Sequence, residues 1–276
     1  MPDKGGDRLV ECGGSRAKFR VMTNPLVLSE KRGKVMLIIL NRPDARNSVN
    51  LELAQGVAAA LEAFDADPDV SVGVLTGAGK GFSAGMDLKA FVAGGMPNLP
   101  DRGFAGIVER SCTKPLIAAV EGFALAGGLE IVLSCDLVVA AKGARLGIPE
   151  TGVGLFAGAG ALLRLPRYVG FAKAMEMALT ADPITAEEGH ALGLVNRLAE
   201  PGEAVKVAME LAERIARNAP LGLAASKRVL WEAWGMSDKT FFPYQQPILT
   251  DVFASSDATE GATAFAEKRP PNWQGH

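Results

Sequence analysis

Histidine is almost missing from this sequence: of 276 residues only His190 and His276 are histidines. Cysteine is equally sparse, at Cys12, Cys112 and Cys135, with no ligand-like spacing among them. A zinc centre or a disulfide framework is therefore not expected, since each needs such residues at recurring short intervals, and no metal is assigned. Cys135 follows an apolar run and reads as a small buried hydrophobe. Excess charge is lacking too, because 29 Lys and Arg against 31 Asp and Glu leave a formal net charge of −2. With no basic stripe interleaved with aromatics, a phosphate backbone has nothing to bind, and nucleic acid is not an expected partner. Long apolar runs are absent as well. The most apolar stretch, PLIAAVEGFALAGGLEIVLSC, is broken by Glu121 and Glu130 and falls short of the roughly 18 residues a membrane span requires. A soluble protein with no membrane partner is expected. The opening MPDKGGDRLVECGGSRAKFR lacks the apolar segment of a signal peptide, so residues 1–24 read as a disordered leader and the location as cytoplasmic.

What is present is the composition of a globular protein, 48% apolar and 22% charged. Its length suits either one large α/β domain or one such domain with a helical appendage, and the pattern favours the second. VMLIILNRP (35–43) reads as a strand entering a proline turn, LELAQGVAAALEAFDADP (51–68) as an amphipathic helix stopped before Pro68, and SVGVLTGAG (71–79) as the next strand. KPLIAAVEG (114–122), DLVVAA (136–141) and ARLGI (144–148) continue as short apolar runs between glycine turns and short helices. The motif is strand, strand, helix, repeated. After about residue 158 helical periodicity dominates, which places an α/β core at 25–200 and a helical region at 201–276 that packs on a partner subunit.

Three glycine-rich segments carry the candidate chemistry. Gly81-Phe82-Ser83-Ala84-Gly85 fits the G-x-S-x-G pattern of a hydrolase nucleophile, but a triad needs a downstream histidine, and His190 lies in a helical pattern while His276 is residue 276. TGAGKGFSAG has a phosphate-loop flavour, yet Lys80 precedes Gly81 and not Ser or Thr, and the glycine spacing misses the nucleotide templates. In GFALAGGLEIVLSCDL (122–137), Gly127 and Gly128 follow a strand and open a short apolar helix, whose first N–H groups are free to donate. If Gly85 makes the corresponding turn into a helix MDLKAF, the Met86 and Gly127 N–H groups point the same way and form an oxyanion hole. Glu130, one helical turn after Gly127, returns its carboxylate to that face, within a helix apolar nearly all round. Glu150 follows Pro149 at a strand end, where catalysis and a helix N-cap are both open readings. Two carboxylates so placed can hold a water and exchange protons with a substrate.

FSAGMDL, EGFALAGGLEIVLSCDLVVAA and ARLGIPE together resemble the crotonase family, the enoyl-CoA hydratase/isomerase superfamily, with the likeness running over roughly residues 26–272. The resemblance implies a spiral of β-β-α units with a C-terminal helical trimerisation region, a homotrimer or homohexamer, and acyl-CoA thioesters as substrates, coenzyme A entering as part of the substrate with no separate cofactor. It places the oxyanion amides on Met86 and Gly127 and the catalytic acids on Glu130, which would activate water, and Glu150, which would protonate C2. Coenzyme A contacts would fall on Arg46, Ala84, Asp87, Leu88, Lys89, Phe265 and Lys268. Both acids being retained favours 2-enoyl-CoA hydration over double-bond isomerisation. The segment Phe156-Ala157-Gly158-Ala159-Gly160-Ala161-Leu162-Leu163-Arg164 departs from the family's hydratase pattern at Ala157, Leu162 and Leu163, and the resemblance implies that this stretch lines or supports the acyl pocket. Three readings stay open: an enoyl-CoA hydratase, another lyase or isomerase of the same scaffold, and a non-catalytic trimer that binds acyl-CoA or a partner.

Overall fold

The computed structural model describes residues 7–12, 15–20, 25–109 and 112–276. Two sheets organise it. The larger has six strands in the order β13-β10-β8-β5-β4-β3, and the smaller three in the order β12-β11-β9. β3 (Val27–Arg32) and β4 (Val35–Leu40) form a hairpin, and β4 then pairs in parallel with β5 (Val72–Gly77), β5 with β8 (Leu116–Val120), β8 with β10 (Leu137–Ala141) and β10 with β13 (Arg197–Ala199). β9 (Phe123–Leu125) and β11 (Arg145–Gly147) run parallel in the smaller sheet, closed by the antiparallel β12 (Ile184–Thr185). Two successive turns of chain thus leave one strand in each sheet and then helix: β8, β9 and α3 (Gly127–Val132), then β10, β11 and the helices α4 (Ala161–Val169), α5 (Phe171–Thr180) and α6 (Ala186–Leu192). The strand, strand, helix expectation describes this spiral.

The large sheet is buried on both faces, as parallel sheets are, and the period-2 alternation of β4 divides its side chains between two cores. Met36, Ile38 and Leu40 join one core, with Leu53, Val57, Leu61 and Phe64 of α1 (Leu51–Ala66). Val35, Leu37 and Ile39 join the other, with Ala204, Ala208, Leu211 and Ala212 of α7 (Ala204–Ile215). α1 begins where the Asn50 side chain accepts from Leu53 N–H, and it ends at Asp67, before Pro68. α7 lies beyond the 200/201 boundary drawn from sequence, yet it covers one face of the sheet.

The last helices behave differently. α8 (Pro220–Glu232) and α9 (Asp238–Phe253) bury none of their residues, and with α10 (Ser256–Glu267) they leave Leu230, Trp234, Phe253 and Phe265 exposed. α8 is tied to the core through Asp136, whose carboxylate accepts from Leu116 N–H and Trp231 Nε1–H and meets Lys227 Nζ at 2.8 Å. Two short pairings complete the fold: β6 (Asn98–Leu99) with β7 (Gly103–Phe104), and β1 (Asp7–Cys12) with β2 (Ser15–Arg20). Part of the stretch read from sequence as a disordered leader is thus a hairpin, because Asp7–Cys12 and Ser15–Arg20 fall into antiparallel register; residues 1–6, 13–14 and 21–24 of that stretch lie outside the described residues.

Candidate active site

Gly85 sits at φ +88°, in the left-handed region that favours glycine, and its neighbour Met86 forms a one-residue parallel bridge with Val49. Val49 N–H donates to Gly85 O at 2.8 Å and Asp87 N–H to Val49 O at 2.9 Å, so the intervening Met86 N–H is turned to the opposite side. This corrects one expectation: Met86 does not open a helix. α2 (Leu88–Val92) starts two residues later, because the Asp87 carboxylate captures the N–H groups of Lys89 and Ala90. Across from Met86, Ala126 is held at φ +52°, ψ −131°, strained for a residue with a Cβ, and delivers Gly127 as the first residue of α3. Among the described residues neither the Met86 nor the Gly127 N–H donates to another group of the chain. The turns touch: a Cβ added at Gly128 would lie 2.2 Å from Ser83 O.

Ser83 is fully buried, and its hydroxyl donates to Asn47 O at 2.8 Å while accepting from Gly85 N–H at 3.1 Å. Its hydroxyl is therefore a brace under the Gly85 turn, and no triad forms, since His190 Nδ1 lies 2.8 Å from Val195 O. Asn47 extends the brace, donating from Nδ2 to Ala78 O and Gly81 O and accepting from Arg42 N–H. Neither role is legible in the motif, since a buried amide that ties three loops together looks locally like any asparagine in a turn.

Glu130 is 3% exposed, and its Oε1 accepts from Ala159 N–H at 2.7 Å and Ala161 N–H at 3.2 Å. Burial raises its pKa, and those two bonds and the Arg164 charge oppose the rise. Glu150 opens a 3-10 turn, Pro149–Val153. Burial, with Glu130's charge adding to it, pushes its carboxyl to about 7 against its own backbone N–H, and its buried Oε2 has no hydrogen-bond partner among the described residues. The two acids thus differ: one is braced by donors that favour the carboxylate, the other holds its proton near neutrality with an oxygen free to bond. Beside Glu150 opens a cavity of about 350 Å3 lined by Ile148, Phe156, Ala157, Leu162, Phe171 and Met175, among others. Leu163, singled out with Ala157 and Leu162 in the sequence, is exposed and lies off this lining.

The residues expected to meet coenzyme A divide into two groups. Arg46, Ala84, Asp87, Leu88 and Lys89 share one neighbourhood: Ala84 N–H donates to Arg46 O at 3.0 Å, and Asp87 caps the helix that Leu88 and Lys89 begin. Arg42, absent from the sequence expectations, holds Asp87 Oδ2 through both Nη atoms at 3.1 Å and Ser48 O at 2.6 Å. Phe265 and Lys268 end α10, Phe265 89% exposed, and no described contact joins them to Asp87–Lys89 within the chain.

The comparisons with known proteins agree with this geometry. The family model for enoyl-CoA hydratase/isomerase matches residues 30–276. Enoyl-CoA hydratase EchA19 of Mycobacterium tuberculosis is 40% identical over 92% of this chain and 98% of its own length. The carnitinyl-CoA dehydratase of Salmonella arizonae is 38% identical over 89% of this chain and 97% of its own. The crystal structure of enoyl-CoA hydratase EchA1 from Mycobacterium marinum superposes with a TM-score of 0.89 at 54% identity, covering 92% of this chain and all of the other. With that match over residues 30–276 and relatives 38–40% identical along about nine-tenths of the chain, the protein belongs to the enoyl-CoA hydratase/isomerase family.

Proposed function

We propose that the protein is an enoyl-CoA hydratase that adds water reversibly and syn across the C2–C3 double bond of a 2-enoyl-CoA thioester. The observation that carries the reading is the unlike surroundings of two buried acids, Glu130 accepting from the Ala159 and Ala161 N–H groups and Glu150 keeping a buried Oε2 without a partner among the described residues, since syn hydration needs one carboxylate and one carboxylic acid on the same face of the substrate. The thioester oxygen accepts from the Met86 and Gly127 N–H groups. Glu130 takes a proton from water as its oxygen bonds to C3, the π electrons move through C2 onto the thioester as an enolate, and Glu150 gives its proton to C2 as the enolate collapses. Proton exchange with solvent restores the pair. Each oxyanion donor is worth roughly 3 kcal/mol of transition-state stabilisation. α3 is only six residues long, so these two directed donors matter more than a helix macrodipole.

General acid–base chemistry moves every proton in this cycle, so coenzyme A enters as part of the substrate and no separate cofactor is required. The apolar cavity beside Glu150 suits an apolar acyl chain better than a polar one. The exposed apolar faces of α8 to α10 support a homotrimer or homohexamer in which Phe265 and Lys268 of one protomer meet the coenzyme A of the next. We place the protein in the cytoplasm, one of the compartments in which acyl-CoA thioesters occur. Among the described residues no helix is long and apolar enough to cross a membrane.

The test is loss of the conjugated enoyl-thioester absorbance with crotonyl-CoA and a longer 2-enoyl-CoA, for the wild type and for Glu130→Gln and Glu150→Gln. Turnover abolished by either change supports the hydratase. No turnover with coenzyme A still bound overturns it in favour of another reaction of the same scaffold.

A further inference from the structure

Arg164 lies in α4, three residues after Ala161, whose N–H holds Glu130. It is half-buried, and among the described residues it has no carboxylate partner within ion-pair distance. Its hydrogen bonds all go to neutral groups. Nη1 donates to Ser134 Oγ at 2.9 Å, Ser134 Oγ in turn donates to Glu130 O at 2.8 Å, and Nη2 donates to Val108 O at 2.6 Å. On its open side the guanidinium lies 5.7 Å from the Trp231 ring centroid, and Trp231 is fixed from α8 by its Nε1 bond to Asp136. A partly desolvated cation without an ion pair is costly unless it compensates a charge nearby. The titratable groups acting on it are Arg167, Tyr168, Glu130 and Cys135, of which Tyr168 and Cys135 are held neutral by burial, and Asp136 is engaged by Lys227. Of these only Glu130 is an unpaired acid. Glu130 itself feels Arg164 from α4 and lies within range of Glu150 from the 3-10 turn.

We propose that Arg164 is a positioning residue for the proposed hydration: clamped to Ser134 and Val108 beneath Trp231, it anchors α3 to α4 and keeps Glu130, not Glu150, as the ionised, water-activating member of the pair. Two functions meet in one side chain. The planar fork holds the segment that presents the Ala159 and Ala161 N–H groups to Glu130, and the fixed charge favours the carboxylate there. Because Trp231 belongs to α8, the helical region completes the enclosure of this charge, which ties the protonation of the active site to the seating of α8 on the core. The inference rests on the hydratase reading for its consequences in turnover.

The experiment compares wild type, Arg164→Gln, Arg164→Lys and Ser134→Ala in the pH dependence of hydration of a 2-enoyl-CoA. Arg164→Gln is expected to lower kcat roughly tenfold, with KM changed by less than about twofold, through misplacement of Glu130. It is also expected to move the acid limb of kcat/KM upward by about 0.5 to 1 pH unit, since a carboxylate losing a nearby cation holds its proton more tightly. Arg164→Lys, which keeps the charge and loses the fork, should lower kcat while leaving the limb in place, and so should Ser134→Ala. Equal limbs in all four proteins, or equal movement in the Gln and Lys variants, overturns the proposal. Carboxyl 13C NMR of glutamate-labelled protein reads the same titration without turnover, the Glu130 signal being the one lost in Glu130→Gln. A wild type that hydrates nothing would therefore sink the hydratase reading, while the shift of that signal in Arg164→Gln would still decide the role of Arg164.

Discussion

A Cβ placed on Gly85 would lie 2.7 Å from the backbone nitrogen of Gly127. Two segments 42 residues apart in sequence are pressed together where the proposed oxyanion donors, the Met86 and Gly127 N–H groups, begin.

Gly85→Ala therefore meets two penalties, since φ is +88° and the methyl would also press on the Ala126 Cβ at 2.8 Å. The expected result is a loss of about 10²–10³ in kcat as the Gly127 donor is displaced. Steady-state hydration kinetics beside thermal unfolding check it: a variant that keeps more than a tenth of wild-type kcat would show that the pairing of the turns does not form the oxyanion site.

In the proposed hydration Glu150 gives its proton to C2, and burial raises its carboxyl to about 7. The rate of hydration is therefore expected to fall as pH rises through about 7, and the reverse dehydration, which needs Glu150 as base, to rise over the same interval. Because Glu130 is coupled to it, the limb belongs to the pair. Initial rates in both directions from pH 5 to 9 decide it, and limbs that run in the same sense in both directions would contradict the assignment.

The same group makes stability depend on pH. Its folded pKa, about 7, is raised above a glutamate's ordinary 4.5, so the folded state binds the extra proton between those values. Its contribution is full below about 4.5 and is lost as pH rises through about 7. Glu150→Gln should remove that slope and stabilise the protein at pH 8 by on the order of 1–3 kcal/mol. Urea unfolding at pH 5.5 and 8 is the measurement; a variant no more stable than wild type at pH 8 contradicts the buried, costly carboxylate.

Arg42 holds Asp87 and Ser48 O, and with them the loop that starts α2. Arg42→Ala is expected to raise KM for the acyl-CoA several-fold with kcat within about threefold, since uniform binding is what such a loop supplies. A fall in kcat at constant KM would instead tie the loop to the transition state.

Deleting residues 257–276 removes most of α10 and the tail, where Asp257 accepts from Gln274 and Gly275 N–H and Trp273 Nε1–H reaches Arg217 O. Lower oligomer mass in sedimentation together with weaker coenzyme A binding is expected. Unchanged mass and unchanged binding would remove Phe265 and Lys268 from the site.

Much of the architecture was readable because its signals are local. An alternating or continuously apolar run such as VMLIIL tells its own burial, Asn50 and Pro68 bracket α1, and Glu130 stands out as a charge in an apolar helix. The start of α2 departs from its sequence pattern for a reason equally local in appearance: Asp87 competes with Gly85 for the helix start and wins by bonding two N–H groups, while Val49 pulls Met86 into a bridge. Arg42, Asn47 and Arg164 escaped notice because their partners lie 45, 34 and 30 residues away.

The alternation of strands and helices, the glycines at which the chain can turn sharply and the two acids in apolar frames are written in the residues alone, since each depends on side chains within a few positions. It takes the fold to bring the Gly85 turn against Gly127, to set the Ala159 and Ala161 N–H groups on Glu130 while burial raises the Glu150 carboxyl to about 7, and to leave Phe265 and Lys268 apart from Asp87 in a single protomer. Desolvation and hydrogen-bond direction depend on what the fold brings from far along the chain, and no local pattern of residues carries that information.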